Sequence, residues 1–170
     1  MPAGSTYEPI ATTTLTGTAT TIDFTSIPNT YTDLVLIISA ATNSGDNIFY
    51  RFNSNTSAIY STTFLYGTGS SALSTRRTSQ TTGRFTVYGF PSTTAGEQMT
   101  ICNIFNYANT TTYKTVLSRS GRGNSGLEAE AGLFASTSAI SSISLAPDGF
   151  SGSFSFTAGT TATLYGITAA

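Results

Sequence analysis

Apolar and polar residues alternate with a period of two along most of this chain. Clusters of Gly, Asn, Asp or Pro break the alternation at intervals of roughly ten residues. That period places successive side chains on opposite faces of a pleated strand. It predicts strands over Tyr7 to Leu15, Ala19 to Phe24, Asp33 to Ala40, Asn47 to Phe52, Ile59 to Tyr66 and Arg84 to Phe90. Further strands are predicted over Met99 to Tyr107, Tyr113 to Arg119, Leu127 to Ala135, Ile140 to Leu145, Ser153 to Phe156 and Thr161 to Ile167. Asp33-Leu-Val-Leu-Ile-Ile-Ser-Ala40 is apolar on both sides, as a central buried strand requires. The separators include Gly67-Thr-Gly-Ser-Ser71, Ala108-Asn-Thr-Thr111 and Pro147-Asp-Gly149, all of turn composition. Ser70 to Thr82 has no apolar period and reads as an exposed polar loop. No βαβ alternation, fixed-period repeat or long linker occurs. The expected fold is one all-β domain over residues 1–170, an antiparallel β-sandwich or jelly roll of about 10–12 short strands with little or no helix. Residues 1–14 are expected to form an N-terminal arm.

Composition sharpens this picture. Only 9% of residues are charged, while 39% are hydrophobic and 12% aromatic. Ser and Thr make up about a third of the chain, far above ordinary usage. Apolar content at that level takes the chain out of the disordered class despite its low charge. A chain of this length buries roughly 70% of its unfolded surface, so it needs no disulfide or metal staple. Thr, Tyr, Phe, Val and Ile favour strands, whereas Lys, Glu and Gln are scarce. The net charge is −1 and Arg76-Arg77 is the only adjacent basic pair, which argues against nucleic-acid binding. No run approaches the ~20 apolar residues of a membrane helix. The N-terminus lacks the basic and apolar regions of a signal peptide, so synthesis in the cytoplasm is expected.

Candidate chemistry is thin. Histidine is absent, which removes the usual general base and the usual metal ligand. Cys102 is the only cysteine and reads as a small core residue. Glu128 and Glu130 share one strand face, a spacing a glycosidase pair might suggest. With Ala129 and Ala131 assigned to the core, both acids are expected in solvent or at an interface. Asp46 and Asp148 are oxygen donors for a hard cation, but their Gly neighbours read as turns. Tyr60, Tyr66, Tyr107 and Tyr113 lie near strand ends, where sugars stack on rims, although a core or interface role is the simpler account. Asn55-Thr-Ser57 and Asn109-Thr-Thr111 match glycosylation acceptors, as chance allows in a Thr-rich chain. No cofactor, metal site or catalytic group is expected, and the residues point to a structural or binding protein.

Five blocks carry a resemblance. They are Ser5-Thr-Tyr-Glu-Pro-Ile-Ala-Thr-Thr-Thr-Leu15, Phe24-Thr-Ser-Ile-Pro-Asn-Thr-Tyr-Thr-Asp-Leu-Val-Leu36, Asn106-Tyr-Ala-Asn-Thr-Thr-Thr-Tyr-Lys-Thr-Val-Leu117, Ile140-Ser-Ser-Ile-Ser-Leu145 and the ending from Phe156 to Ile167, with its Leu164-Tyr-Gly-Ile. In order and end to end, they resemble small jelly-roll virion proteins of tailed bacteriophages, especially those of cyanobacteria and other aquatic bacteria. The resemblance implies a capsid decoration (cement) protein on the capsid exterior. It would bind the major capsid protein at capsomer junctions as a homotrimer. The alternative it implies is the receptor-binding head of a tail fibre, with a host surface glycan as partner. Expected contact residues are Tyr7 in the arm, Arg76 and Arg77 in the polar loop, and Arg119 and Arg122.

Overall fold

The computed structural model describes residues 6–44, 47–86, 93–94 and 96–168. Regular structure among them is all strand: β1 (Tyr7–Thr14), β2 (Ile22–Phe24), β3 (Asp33–Ser39), β4 (Phe49–Phe52), β5 (Tyr60–Gly67) and β6 (Ala72–Gln80), followed by β7 (Gly83–Arg84), β8 (Gln98–Phe105), β9 (Lys114–Arg122), β10 (Gly126–Phe134), β11 (Ile143–Ala146) and β12 (Thr161–Ile167). They form two antiparallel sheets, ordered β1-β12-β3-β8-β9-β10-β5-β6 and β2-β11-β4-β7.

The topology has a simple origin. Strands β1 to β4 alternate between the two sheets, and β7 to β8 and β11 to β12 make the same crossing. The quartet β1-β12-β3-β8 against β2-β11-β4-β7 is a jelly-roll wrap. Two hairpins, β5–β6 and β9–β10, are inserted into it. Both join the larger sheet beyond β8 and extend it from four strands to eight.

The core lies between the quartets. Leu34, Leu36, Ile38, Cys102, Ile104 and Leu164 face Ile22, Phe24, Tyr50, Phe52, Ile143 and Leu145, all buried. An aromatic cluster ties the inserted hairpins to the small sheet. Tyr50 stacks on Phe85 with centroids 4.3 Å apart and meets Tyr60 edge-on at 6.0 Å. Phe52 meets Phe134 edge-on at 5.4 Å. Tyr50 lies so close over Gly83 that a Cβ there would fall 1.9 Å from its ring.

The resemblance blocks meet at one corner of the sandwich. The Tyr31 ring lies over Gly166, where a Cβ would come within 2.3 Å of it. The Tyr31 hydroxyl donates to Glu8 at 3.2 Å, and its N–H donates to the Tyr107 hydroxyl at 3.3 Å. Tyr107 in turn donates to the Pro28 carbonyl. The Asn106 N–H donates to Asp33 at 2.7 Å, and the Ile140 N–H to the Tyr107 carbonyl at 2.8 Å. Four of the five blocks thus close this corner through hydrogen bonds, and the fifth supplies the glycine beneath the ring.

Three expectations need correction. Residues 72–80 form a strand, not a loop, hydrogen-bonded to β5 through the turn at Gly69-Ser70. Their pattern has no apolar face because β6 is an edge strand exposed on both faces. Ser153 to Phe156 is not a strand. The Asp148 carboxylate accepts the N–H groups of Phe150, Ser151, Ser153 and Phe154, which coils that segment, and only Phe156 bridges to Ala19 and Thr42. Residues Tyr7–Thr14 of the expected arm pair with β12 of the same chain. Residues 87–90 of the predicted sixth strand, Asp46 and residues 1–5 lie outside the described residues.

Gly166→Ala is expected to destabilise the fold by about 1–3 kcal/mol, because the Cβ meets ring atoms close to the Tyr31 backbone. Gly17→Ala, with open space around it, is expected to be neutral. Urea titrations of the two variants check this, and equal midpoints would refute it.

Candidate interaction surface

The inserted hairpins set up two unusual layers, one on each face of the large sheet. Strand β10 reads Leu127-Glu-Ala-Glu-Ala-Gly-Leu-Phe134. Its period is two, as expected, but its phase is opposite to expectation. Glu128 and Glu130 point inward, only 1% and 3% exposed, while Ala129 and Ala131 point outward. Phe134 is in phase with the acids and enters the aromatic cluster, which sets the register.

The inner layer is polar because the small sheet ends at β7. Arg84, on that last strand, lies over the Phe64 ring at 4.9 Å and sends its charge toward Glu130. Around it sit buried hydroxyls and an amide. Gln98 donates to Thr100, Thr100 and Ser120 share a 2.8 Å bond, and Ser120 donates to the Phe85 carbonyl at 3.0 Å. Ser118 donates to Glu130 Oε2 at 3.3 Å. Among the described residues, Glu130 Oε1 and the Tyr50 hydroxyl have no hydrogen-bond partner, and both border the space a Gly132 side chain would fill. Burial pushes the Glu130 carboxyl well above the usual carboxylate range. The Glu128 charge pushes the same way, while Ser118 and Arg84 pull back. Both acids face the interior of the sandwich.

The outer layer carries apolar residues on four strands, set among the polar Asn103, Thr115, Thr63 and Ser61. Aligned across the strands are Met99 and Ile101 on β8, Leu117 on β9, Leu127, Ala129, Ala131 and Leu133 on β10, and Leu65 on β5. Leu127 is 65% exposed, Leu65 61% and Met99 53%. Strands are spaced at ~4.8 Å, so the four strands that carry these residues span about 14 Å by some 25 Å, on the order of 350 Å². Arg119 stands in the middle of the apolar rows, between Ile101 on β8 and Ala129 on β10.

The expected contact residues divide between places. Arg119 and Arg76 share the outer face, three strands and about 14 Å apart. Tyr7 is on the same face at the far edge, 57% exposed, edge-on to Tyr165. Arg77 points to the opposite side of β6. Arg122 is engaged by Glu97 at 3.0 Å and is not free for docking. Sequence reasoning missed the outward leucines, whose signal was the row Leu117, Leu127 and Leu133 in phase with Arg119. It also missed Lys114, a buried lysine whose ammonium donates to the carbonyls of Thr112 and Thr137 at 2.7 and 3.2 Å.

The other candidates have structural partners. Cys102 is fully buried, and burial raises its thiol pKa well above normal. Asp148 is partly desolvated, which opposes ionisation, but hydrogen bonds from Ser151 and the N–H groups of Phe154, Ser153 and Phe150 prevail and lower its pKa. Asn55 and Asn109 close turns by accepting the N–H groups of Ser57 and Thr111. Tyr60, Tyr66 and Tyr107 are buried and Tyr113 is exposed. Among the described residues no group of three or more His, Cys, Asp or Glu is gathered.

Comparison with known proteins adds no family. No protein-family model matches the chain, and no curated protein matches its sequence.

The Glu130 carboxyl has a raised pKa in the folded state, so its contribution to stability is full below the unfolded carboxylate value of about 4.3. That contribution is lost as pH rises toward the folded value. Glu130→Gln is expected to gain stability over the native chain progressively from acidic to neutral pH, read as urea midpoints across the range. A difference that is constant with pH would refute the buried-acid account.

Proposed function

We propose that this chain is a structural protein of a bacteriophage particle, a capsid decoration protein rather than an enzyme. The observation that carries the reading is the apolar outer face built by the inserted hairpins, with Arg119 at its centre. An antiparallel sheet with one face on the core ordinarily presents a polar face to water. A contiguous apolar patch of a few hundred Å² is often functional, and this one supports a protein contact. The resemblance supplies the partner, the major capsid protein, and the place, the capsid exterior at capsomer junctions. Arg119 asks of that partner a carboxylate set among apolar side chains, since guanidinium binds carboxylate in a two-pronged fork.

The mechanism is physical. A protein that binds the assembled shell and not its dissociated subunits stabilises the shell by RT ln(1 + [L]/Kd) per site. A homotrimer engages several equivalent sites at once, which adds avidity. The rest of the surface, rich in Ser and Thr and low in charge, limits contact between particles.

One observation favours the alternative, a receptor-binding head for a host glycan. An open cleft of about 530 Å³ lies at the hairpin ends, lined by Gly67 to Gly69 and Gly121 to Leu127. It offers amides and hydroxyls but no aromatic ring for a sugar to stack on.

Quantitative mass spectrometry of purified particles separates the two. Decoration predicts a copy number near that of the major capsid protein, and loss of head binding in Leu117→Asp and Leu127→Asp with the fold retained. A few to a few dozen copies per particle, with binding to host polysaccharide, would overturn it.

A further inference from the structure

The large sheet ends in two long strands, β1 with eight residues and β6 with nine. Among the described residues, nothing pairs with the outer side of either. Long uncovered edges are templates for another strand, and proteins commonly block them with charge, proline or bulges. Here the blocking features are few and complementary.

Backbone parity fixes what each edge offers. The Thr68 N–H to Ser71 carbonyl bond makes Ser71, Leu73, Thr75 and Arg77 face β5. The N–H and C=O groups of Ala72, Ser74 and Arg76 therefore point outward. On β1, the bonds of Thr6 to Thr168 and of Leu15 to Thr160 and Gly159 point those residues toward β12 and its approach. The register shift between Pro9 and Ala11 separates the two parities. Tyr7, Pro9, Thr12 and Thr14 then face outward, and Pro9 leaves one donor missing from a ladder formed there.

Side chains match as well. On β6, Arg76 lies on the outer face of the sheet and Arg77 on the inner face. On β1, Tyr7 lies on the outer face beside Tyr165, and Glu8 on the inner side beside Tyr31. Neither arginine has an ion pair among the described residues. Strand β6 carries two cations and no acid, and β1 carries one acid and no cation.

We propose that β6 of one copy pairs with β1 of the next, joining their large sheets edge to edge. A sheet that continues across copies keeps its faces. Arg76 then meets the Tyr7 ring on the outer face as a cation over an aromatic, and Arg77 meets Glu8 on the inner face. The contact is head to tail, so it closes into a ring when the rotation allows. This extends the proposed reading and rests on it only for the homo-oligomer's place on a particle.

The test uses the purified full chain with no shell present. Sedimentation velocity across concentrations is expected to give a discrete oligomer for the native chain. Arg77→Glu, Glu8→Arg and Ser74→Pro are each expected to weaken association at least about tenfold, the last by removing an outward N–H. Arg77→Glu combined with Glu8→Arg in one chain is expected to restore it. Far-UV circular dichroism and melting confirm that each variant folds. A monomeric native chain, or an oligomer unchanged in all three single variants, would overturn the pairing. An oligomer held by these edges that fails to bind heads would leave the pairing intact and sink the decoration reading instead.

Discussion

A sheet of eight strands cannot be covered by one of four, and much of this molecule follows from that mismatch. The jelly-roll quartets match each other and close an apolar core. The inserted β9–β10 and β5–β6 hairpins carry the large sheet past the end of its cover. Near β7 the inner face still meets Tyr50, Phe85 and Arg84, and there it holds a hydrogen-bonded layer with Glu130 at its centre. Farther out, at β6, none of the described residues covers the sheet, and the strand is exposed on both faces. Polarity inside and exposure at the edge are two readings of one geometric shortfall. A buried acid with one unsatisfied oxygen is costly in such a place. That cost is why burial raises the Glu130 pKa.

The mismatch also separates scaffold from surface. The blocks that carry the resemblance converge on the corner around Tyr31, Tyr107 and Gly166, where they seal the jelly-roll wrap. They therefore speak for the scaffold. The outward leucines and arginines sit mostly on β5, β6 and β10, which contain none of those blocks. Fold and function are thus supported by different parts of the chain. The quoted blocks build the wrap, and the proposed docking face rests mostly on the inserted hairpins. A jelly roll by itself hosts many functions, so the second part of the argument is the one that decides.

Most strands were legible because Gly, Asn and Pro punctuate the chain and Thr, Tyr and Ile fill what lies between. The failures have specific causes. Strand β6 was invisible because an edge strand exposed on both faces has no apolar period to detect. The phase of β10 was misread because alanine beside glutamate looks like the core side, whereas Phe134, four residues beyond Glu130, was the stronger marker. The stretch from Ser153 was lost to one carboxylate, Asp148, which draws four backbone amides onto itself. Pairing across the sandwich decided each case, and a single sequence carries no record of pairing. The outer-face residues were half legible. Arg119 and Arg76 stand out in the sequence by charge alone, whereas the apolar setting of Arg119 follows from strand phase, which a single sequence does not fix.

The setting of Arg119 constrains any partner more than the apolar area does. An exposed leucine row binds many apolar surfaces with little discrimination. A guanidinium brought into contact among leucines loses water on closure, and without a carboxylate opposite it the contact loses several kcal/mol. A wrong partner is thereby rejected by the same residue that orients the right one. The neutral, hydroxyl-rich remainder of the surface adds no competing attraction, since charge on this chain is sparse. In the proposed docking, specificity comes from one cation placed where its solvation must be replaced, on a sheet extension whose own core could not be made fully apolar.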